Sequence, residues 1–277
     1  DQGDHTVMEA DLVISFKVFR ERFTSRVVLW PDAHKIDTEY LDGPFRYMKS
    51  NWAFSDVTGG CDVSFFVDFE FRNRVLQGII GVVFNEAMQR IVLDWAACGI
   101  AGAAEGSFDG FVAAAHVAGD CTQFAGGQGA PAAAALINGT LSHALDYDDT
   151  HFAHIGHPSV AVVSAALAAG QAAGASLDAI IDAALIGAEA SVAVGIWLGR
   201  GHYQVGYHQT ATAGAFGATI AAGRLRGLSD VQMRHALGLC STMASGLKSQ
   251  FGTMGKPLNA GLAARCGVEA AEWAAAG

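Results

Sequence analysis

The chain has 277 residues, 51% hydrophobic and 16% charged, a composition typical of a folded protein with a large core and not of a disordered one. The formal net charge of −10 disfavours binding to nucleic acid, because an acidic surface repels phosphates. Five scattered cysteines without a CxxC pair favour free thiols in a reducing cytoplasm, and the polar opening DQGDHTVMEAD is unlike a secretory signal.

The first part of the chain, residues 1–92, is predicted to be an antiparallel sheet followed by one long helix. Apolar and polar residues alternate in 11–23 and 25–30, as they do in half-buried strands. The segments 45–57 and 61–71 form a predicted hairpin around two glycines. Residues 74–92 have a helical pattern, with Asn73 as the expected N-cap.

Two stretches of this part carry a family resemblance. They read EYLDGPFRYMKSNWAF and DVSFFVDFEFRNRVLQGIIGVVFNEAMQRIV. Both resemble the C-terminal half of coenzyme-Q-binding, START/polyketide-cyclase-like proteins, over roughly residues 7–92. The resemblance implies a partial helix-grip fold and a quinone-like or other isoprenoid lipid as ligand.

The second part, residues 93–277, is predicted to be helical throughout. Pro131, Pro158 and Pro257 are placed to open helices over 131–145, 158–174 and 257–276, and further helices are expected over 177–199 and 208–223. Ser229 and Gln232 predict a capping box at the start of a helix over 230–246. The most apolar segment, 179–198, contains two acidic residues and is therefore predicted to be a buried helix, not a transmembrane segment. The predicted fold class is α+β, with a domain boundary at residue 92.

A second resemblance covers roughly residues 89–277. Its motifs occur in the order VLDWAACGIAGA, ALINGTLSHALDYDDTH with HPS, GYHQTATAGAFGATIAAGRLRGLS, and GTMGKPLNAGLAARCGVEAA. In this order they resemble the MmgE/PrpD family, which includes 2-methylcitrate dehydratase and cis-aconitate decarboxylase. The two resemblances meet inside one predicted helix, and a natural gene fusion and an assembly artefact both stay open as explanations of the join.

Titratable groups are concentrated in LSHALDYDDTHFAHIGHPSV, residues 141–160. Three explanations are open: a metal site, an acid–base site and a solvated loop. His151, His154 and His157 are spaced three apart, but Gly156 and Pro158 interrupt a helix there, so no firm metal-ligand set is predicted. Asp148 and Asp149 are interpreted as structural hydrogen-bonding groups.

The acid–base hypothesis rests on positions near helix ends. His157, His208 and Lys256 each lie at or just before a predicted helix start, where free N–H groups favour anions, and Asp146 follows a predicted helix. The MmgE/PrpD resemblance implies that these same four residues, Asp146, His157, His208 and Lys256, line an active site. We assign them as catalytic, with Lys256 and His154 also binding substrate.

The leading hypothesis is therefore a cofactor-free, metal-free lyase of the 2-methylcitrate dehydratase type. It would act on a di- or tricarboxylate by proton transfer at the carbon α to a carboxylate, and it would form a homo-oligomer, such as a dimer, in the cytoplasm. The alternatives are a lipid-binding START-like module and an inactive fragment. Because the family's lid domain is not among these 277 residues, we expect weak turnover and self-association of this chain by itself.

Overall fold

The computed structural model describes residues 5–16, 19–57, 60–72 and 74–277. By its internal contacts the chain divides into two units, Asp1–Phe84 and Asn85–Gly277. The division falls within a helix, α1 (Arg74–Ala104), upstream of the predicted boundary at residue 92. The α+β fold class is confirmed: an antiparallel sheet comes first and a helical domain follows.

The first unit is a five-stranded antiparallel meander in the order β1-β2-β3-β4-β5. The strands are β1 (Thr6–Phe16), β2 (Phe19–Trp30), β3 (Lys35–Asp42), β4 (Phe45–Val57) and β5 (Gly60–Phe71). The predicted hairpin is confirmed, since β4 pairs with β5. The single strand predicted over 11–23 is wrong, because this segment contains the end of β1 and the start of β2, which pair with each other. Asn73 lies outside the described residues.

A small aromatic cluster forms the described core of the sheet. Phe23, Phe45 and Met48 are buried, and Tyr40 packs against them. The ring of Phe45 meets those of Phe23 and Tyr40 edge to face, at centroid distances of 5.2 and 5.6 Å. Gly43, between β3 and β4, has φ +132°, and a Cβ there would lie 2.7 Å from the Cβ of Phe23. This turn therefore requires glycine.

The second unit contains the remaining helices. They are α2 (Asp109–Ala115), α3 (Pro131–Ser142), α4 (Pro158–Ala172), α5 (Leu177–Gln204), α6 (Gln209–Leu225), α7 (Asp230–Met243) and α8 (Gly255–Ala276), with a two-stranded ribbon of β6 (Cys121–Thr122) and β7 (Gln128–Gly129). Ser176 caps α5, and Ser229 with Gln232 forms the predicted capping box of α7. The α3 helix ends at Ser142, before the predicted residue 145, and α5 has a non-helical residue at Gly199.

Small residues let these helices pack at short distances. A Cβ on Gly217 of α6 would lie 2.3 Å from the carbonyl oxygen of Gly187 on α5. A Cβ on Gly261 of α8 would lie 2.3 Å from the carbonyl oxygen of Leu136 on α3. Alanines at 0–1% exposure fill most of the remaining core. The many Ala and Gly residues thus position helices close enough for their N-terminal ends to share one surface region.

One described helix, α5, is long and apolar enough to cross a membrane by length and composition. Core helices of soluble proteins meet the same criterion, and α5 packs against α4 and α6. Its Trp197 is 83% exposed and the adjacent Ile196 is 56% exposed. The absence of a transmembrane segment, the cytoplasmic location and the homo-oligomer all stay predictions.

Candidate active site

Three helices place polar side chains at their N-terminal ends. His157 is the N-cap of α4, His208 is the N-cap of α6, and Lys256 lies in the first turn of α8. The predicted starts of α4, α6 and α8 therefore agree with the structure to within two residues. The unpaired N–H groups and partial positive charge at such ends favour a bound anion.

All three side chains, together with Asp146, line one open cleft of about 420 Å³. The structure therefore brings the four predicted catalytic residues together. The remaining lining residues come from the loop after α3, from the end of α5, from the start of α6 and from the segment before α8: Thr150, Phe152, Ile155, Gly156, Arg200, Tyr203, Thr210 and Phe251. A volume of this size is within the range of small-molecule sites.

The loop between α3 and α4 carries Asp146 and His157 and has an unusual backbone. Asp146 has φ +60° and Ile155 has φ +54°, both in the left-handed region. Aspartate tolerates this region, but a β-branched residue such as isoleucine rarely adopts it. Gly156 follows, and a Cβ there would lie 2.8 Å from the amide nitrogen of Thr210. Left-handed residues at a candidate site indicate a loop whose path is fixed by its surroundings.

A buried carboxylate, Asp148, lies between two imidazole rings. Its oxygens accept a hydrogen bond from His143 Nδ1, at 2.9 and 3.0 Å, and Oδ2 lies 2.9 Å from His157 Nδ1. Burial acts to raise the pKa of Asp148, but the two histidines hold it far below its ordinary value. Asp148 is thus a fixed negative charge behind the cleft, in agreement with its predicted structural role.

The same carboxylate sets the charge state of His157. Burial acts to lower the pKa of His157, but Asp148 outweighs it, and the pKa is raised above its ordinary value. On the other side of the ring, Nε2 lies 3.7 Å from Asp146 Oδ1. His157 is therefore a cleft-lining group that can hold a proton near neutral pH and give it up.

Asp146 and Lys256 form the ion pair at the cleft wall. Lys256 Nζ lies 2.5 Å from Asp146 Oδ1, and the Asp146 side chain is 53% exposed. Burial acts to raise the pKa of Asp146, but Lys256 lowers it below the ordinary value. A carboxylate ligand that enters the cleft would compete with Asp146 for this ammonium group.

His208 differs from His157 in its charge state. It is 2% exposed, and burial lowers its pKa to about 3. Its ring stacks against His143 at a centroid distance of 5.9 Å and meets Phe251 edge to face at 5.0 Å. His208 is therefore neutral under physiological conditions and can donate one N–H to a ligand.

His154 does not line the cleft, so the prediction that it binds substrate is corrected. Its side chain is fully buried, and its ring packs so close to Gly195 of α5 that a Cβ there would lie 2.1 Å from Nδ1. Burial lowers the pKa of His154 to about 4. The left-handed turn at Ile155 directs His154 away from the cleft-lining His157.

Sequence reasoning did not single out His143, Arg200 or Tyr203. His143 lies in the segment 141–160, five residues before Asp148, and this short spacing is the signal from which their contact could have been predicted. Arg200 and Tyr203 belong to the end of α5, which reaches the cleft only through helix packing. Asp149, interpreted as structural, accepts a hydrogen bond at 3.1 Å from the amide of Ser159 at the start of α4. That contact stabilises the helix end that carries His157.

Comparison with known families agrees with this geometry. The family model described as "MmgE/PrpD N-terminal domain" matches residues 82–277, which contain every residue of the cleft. The chain belongs to the MmgE/PrpD family. The model described as "Polyketide cyclase / dehydrase and lipid transport" matches residues 1–94, so this MmgE/PrpD member also carries a START-like sequence at its beginning.

Curated relatives divide between the same two parts. Cis-aconitate decarboxylase of Aspergillus terreus is 33% identical over 194 residues, which cover 66% of this chain and 40% of that protein. The ribosome association toxin RatA of Rickettsia prowazekii is 33% identical over 87 residues, 30% of this chain and 60% of that protein. The mitochondrial coenzyme Q-binding protein COQ10 of Drosophila melanogaster is 30% identical over 82 residues, 28% of this chain and 34% of that protein. The chain thus spans at most 60% of each of these three relatives.

The residues that could hold a metal ion are, within the described ranges, His143, Asp146, Asp148 and His157. One ligand atom from each lies within 4.8 Å of the others. This set differs from the histidine series considered from the sequence. Two of its groups already have cationic or N–H partners, since Lys256 contacts Asp146 and Asp148 accepts from His143. The metal-free reaction stays a prediction.

Proposed function

We propose that residues 82–277 form the catalytic domain of a lyase that acts on a small di- or tricarboxylate. The observation that carries the proposal is the convergence of Asp146, His157, His208 and Lys256 on one cleft. The family match and the similarity to cis-aconitate decarboxylases support a reaction of the dehydratase or lyase type. The finer proposal is a cofactor-free reaction resembling that of 2-methylcitrate dehydratase.

Substrate binding would depend on positive charge around the cleft. Lys256 and Arg200 both line it, and the N-terminal ends of α4, α6 and α8 lie beside it. A carboxylate would take over part of the contact that Lys256 makes with Asp146. Withdrawal of the ammonium group would let the pKa of Asp146 rise, so that binding itself makes Asp146 a better base.

In a dehydration, Asp146 would take the proton from the carbon α to a carboxylate. The C–O bond at the neighbouring carbon breaks, and the hydroxyl leaves as water with a proton from the His157 imidazolium. His208, as a neutral N–H donor, and Lys256 would stabilise the negative charge that develops on the carboxylate. In a decarboxylation, CO₂ leaves instead, and His157 would give its proton to the resulting carbanion. Both reactions balance without an oxidant or reductant.

The test is a turnover and binding assay on the purified 277-residue chain with 2-methylcitrate, citrate and cis-aconitate. Turnover is followed by ¹H NMR in D₂O, where deuterium at the α carbon reports proton transfer even if product release is slow. Ligand affinity is measured by calorimetry. We expect His157→Gln to lower the rate of turnover by about 10²-fold or more, as loss of a general acid does.

A matched pair of lysine and arginine variants tests the binding role. Lys256→Ala should weaken tricarboxylate affinity by about tenfold or more, since a hydrogen bond to a charged group contributes about 1.5–3 kcal/mol. Arg265→Ala removes a positive charge from the same helix, α8, outside this cleft, where Arg265 pairs with Glu269. Equal losses of tricarboxylate affinity in Lys256→Ala and Arg265→Ala, or full activity of His157→Gln, would refute the proposed site.

A second candidate function applies to residues 1–94. We propose that this part binds a quinone-like or other isoprenoid lipid, because it matches the lipid-transport family model and is similar to a coenzyme Q-binding protein. A hollow on its sheet is lined by the apolar Val28 and the exposed Phe66 and by the polar residues Asp37, Thr38, Glu39, Lys49, Ser50 and Asn51. Saturable quenching of tryptophan fluorescence by a short-chain ubiquinone would support the proposal.

The control for that assay is a pair of surface variants. Phe66→Ser should weaken the quenching, whereas Val7→Ser, on the exposed face of β1 and outside the hollow, should leave it unchanged. Quenching that increases linearly with quinone concentration in the unsubstituted protein and in both variants would indicate collisional contact and would contradict lipid binding.

A further inference from the structure

A buried asparagine on α8 contacts the neutral histidine of the cleft. Asn259 is 8% exposed, and its Nδ2 lies 3.3 Å from Nδ1 of His208. The same Nδ2 donates to the carbonyl oxygen of Leu247 at 3.4 Å. Asn259 follows Lys256 by three residues, so both lie on one face of the first turns of α8. One face of this helix therefore reaches two different residues of the site.

The carbonyl of Leu247 determines which way the amide of Asn259 is turned. A carbonyl oxygen can only accept a hydrogen bond, so the NH₂ group, and not the amide oxygen, must face it. The second N–H of the same group is then directed at Nδ1 of His208, which has to accept. The histidine is held in place as well, because its backbone N–H donates to the carbonyl of Gly246 at 3.0 Å.

We propose that Asn259 is a positioning residue that fixes His208 as the neutral tautomer with its proton on Nε2. The imidazole has one proton in its neutral form, and a donor at Nδ1 leaves Nε2 as the only place for it. The charged and titratable groups that act on His208 are His143, His157, Lys256 and Asp146. Three of these four act against a second proton on the ring, which is consistent with a neutral His208.

The role of this tautomer in catalysis rests on the proposed function. With Nδ1 occupied by Asn259, Nε2–H is the hydrogen-bond donor that His208 can offer to a ligand in the cleft. A neutral donor stabilises an oxygen as its negative charge develops, without transferring a proton to it. Asn259 thereby gives the two histidines different roles, because His157 exchanges a proton and His208 holds a hydrogen bond.

The test is the protonation state of the ring nitrogens of His208, measured by two-bond ¹H–¹⁵N correlation spectra of the full chain. His208→Gln assigns the signals by their loss. We expect a protonated Nε2 and an unprotonated Nδ1 in the unsubstituted protein. A proton on Nδ1, or an even mixture of tautomers, would overturn the proposal whether or not the protein turns over any carboxylate.

Two variants extend the test. Asn259→Asp has nearly the same size but replaces the donor by an acceptor, so it should move the proton to Nδ1 and raise the pKa of His208 by about 1 to 3. Asn259→Leu removes the donor, so it should give a mixture of both tautomers. The exposed His235 should be unchanged in every spectrum. An Nε2–H tautomer that persists in both folded variants would show that Asn259 does not set it.

The outcomes separate this inference from the proposed function. The expected tautomer without turnover of any tested carboxylate would retain the role of Asn259 and refute the lyase. Turnover with the proton on Nδ1 of His208 would retain the lyase and refute the role of Asn259. Circular dichroism of each variant confirms that the helical domain is folded before its spectra are compared.

Discussion

Asp148→Asn removes a single negative charge from the centre of the site and leaves the size of the side chain almost unchanged. The carboxylate is fully buried and lies 2.9 Å from Nδ1 of both His143 and His157. An amide has one acceptor oxygen and one NH₂ donor. It can therefore accept from one imidazole, but its NH₂ group must then face the other.

The cost of this change follows from the burial of the contacts. Breaking a buried charge pair by removing one partner costs about 3–5 kcal/mol. In a helical unit of roughly 190 residues, about 3 kcal/mol corresponds to a decrease in Tm of about 6 to 12 °C. The substitution also removes the main group that raises the pKa of His157, leaving burial and Lys256, which lower it, against Asp146, which raises it. We therefore expect the pKa of His157 to fall below its ordinary value of 6.5.

The assay combines thermal unfolding, followed by far-UV circular dichroism, with an NMR titration of His157. Asp149→Asn is the matched control, since it changes the adjacent acidic residue but keeps an acceptor oxygen for the start of α4. It should lower Tm less and leave the pKa of His157 close to its value in the unsubstituted protein. An unchanged pKa of His157 in folded Asp148→Asn would refute the electrostatic argument.

Three further predictions concern stability. Because the pKa of His157 is raised in the folded state, its contribution to stability is full below about pH 6.5 and is lost as the pH rises through the folded-state pKa. We therefore expect the urea midpoint to fall less steeply with rising pH in His157→Gln than in the unsubstituted protein. Asp149→Ala removes the acceptor at the start of α4 and should cost about 1–2 kcal/mol in urea unfolding; no loss would contradict the capping role. Gly261→Ala places a Cβ 2.1 Å from Oγ1 of Thr140 and should lower the free energy of unfolding, measured in urea, by about 1–3 kcal/mol. Its control is Gly238→Ala, whose Cβ would have nothing within 4 Å and which should leave that free energy unchanged or raise it.

The sequence by itself determined the elements whose signals are local. Pro131 and Pro158 start α3 and α4, Ser176 caps α5, and Ser229 with Gln232 caps α7. These predictions succeeded because a cap or an N1 proline depends on a few neighbouring backbone groups. Strand limits were less certain. The alternation over 11–23 is the same in the end of β1 and in the start of β2, so it cannot show where one strand ends and the next begins.

The site was predictable in part, for a related reason. Asp146, His157, His208 and Lys256 were identified because each lies beside a helix end or within a family motif, and both signals are local. The sequence could not show that Asp148 contacts two imidazoles, or that His154 faces α5 and not the cleft. Successive residues of an irregular loop have no fixed period, so the direction of each side chain is set by the backbone path.

Only the tertiary structure decided the partners that come from distant segments. Arg200 on α5 reaches the cleft and Asn259 on α8 reaches His208 because small residues allow α5, α6 and α8 to pack closely, and such distances are not encoded in any short motif. The charge states depend on the same packing. His157 and His208 are identical side chains at similar helix ends, but one lies beside a buried carboxylate and the other beside a neutral amide. The pKa of His157 is raised by Asp148, whereas the pKa of His208 is lowered by burial and by its neighbours His143 and Lys256, and folding alone creates both environments.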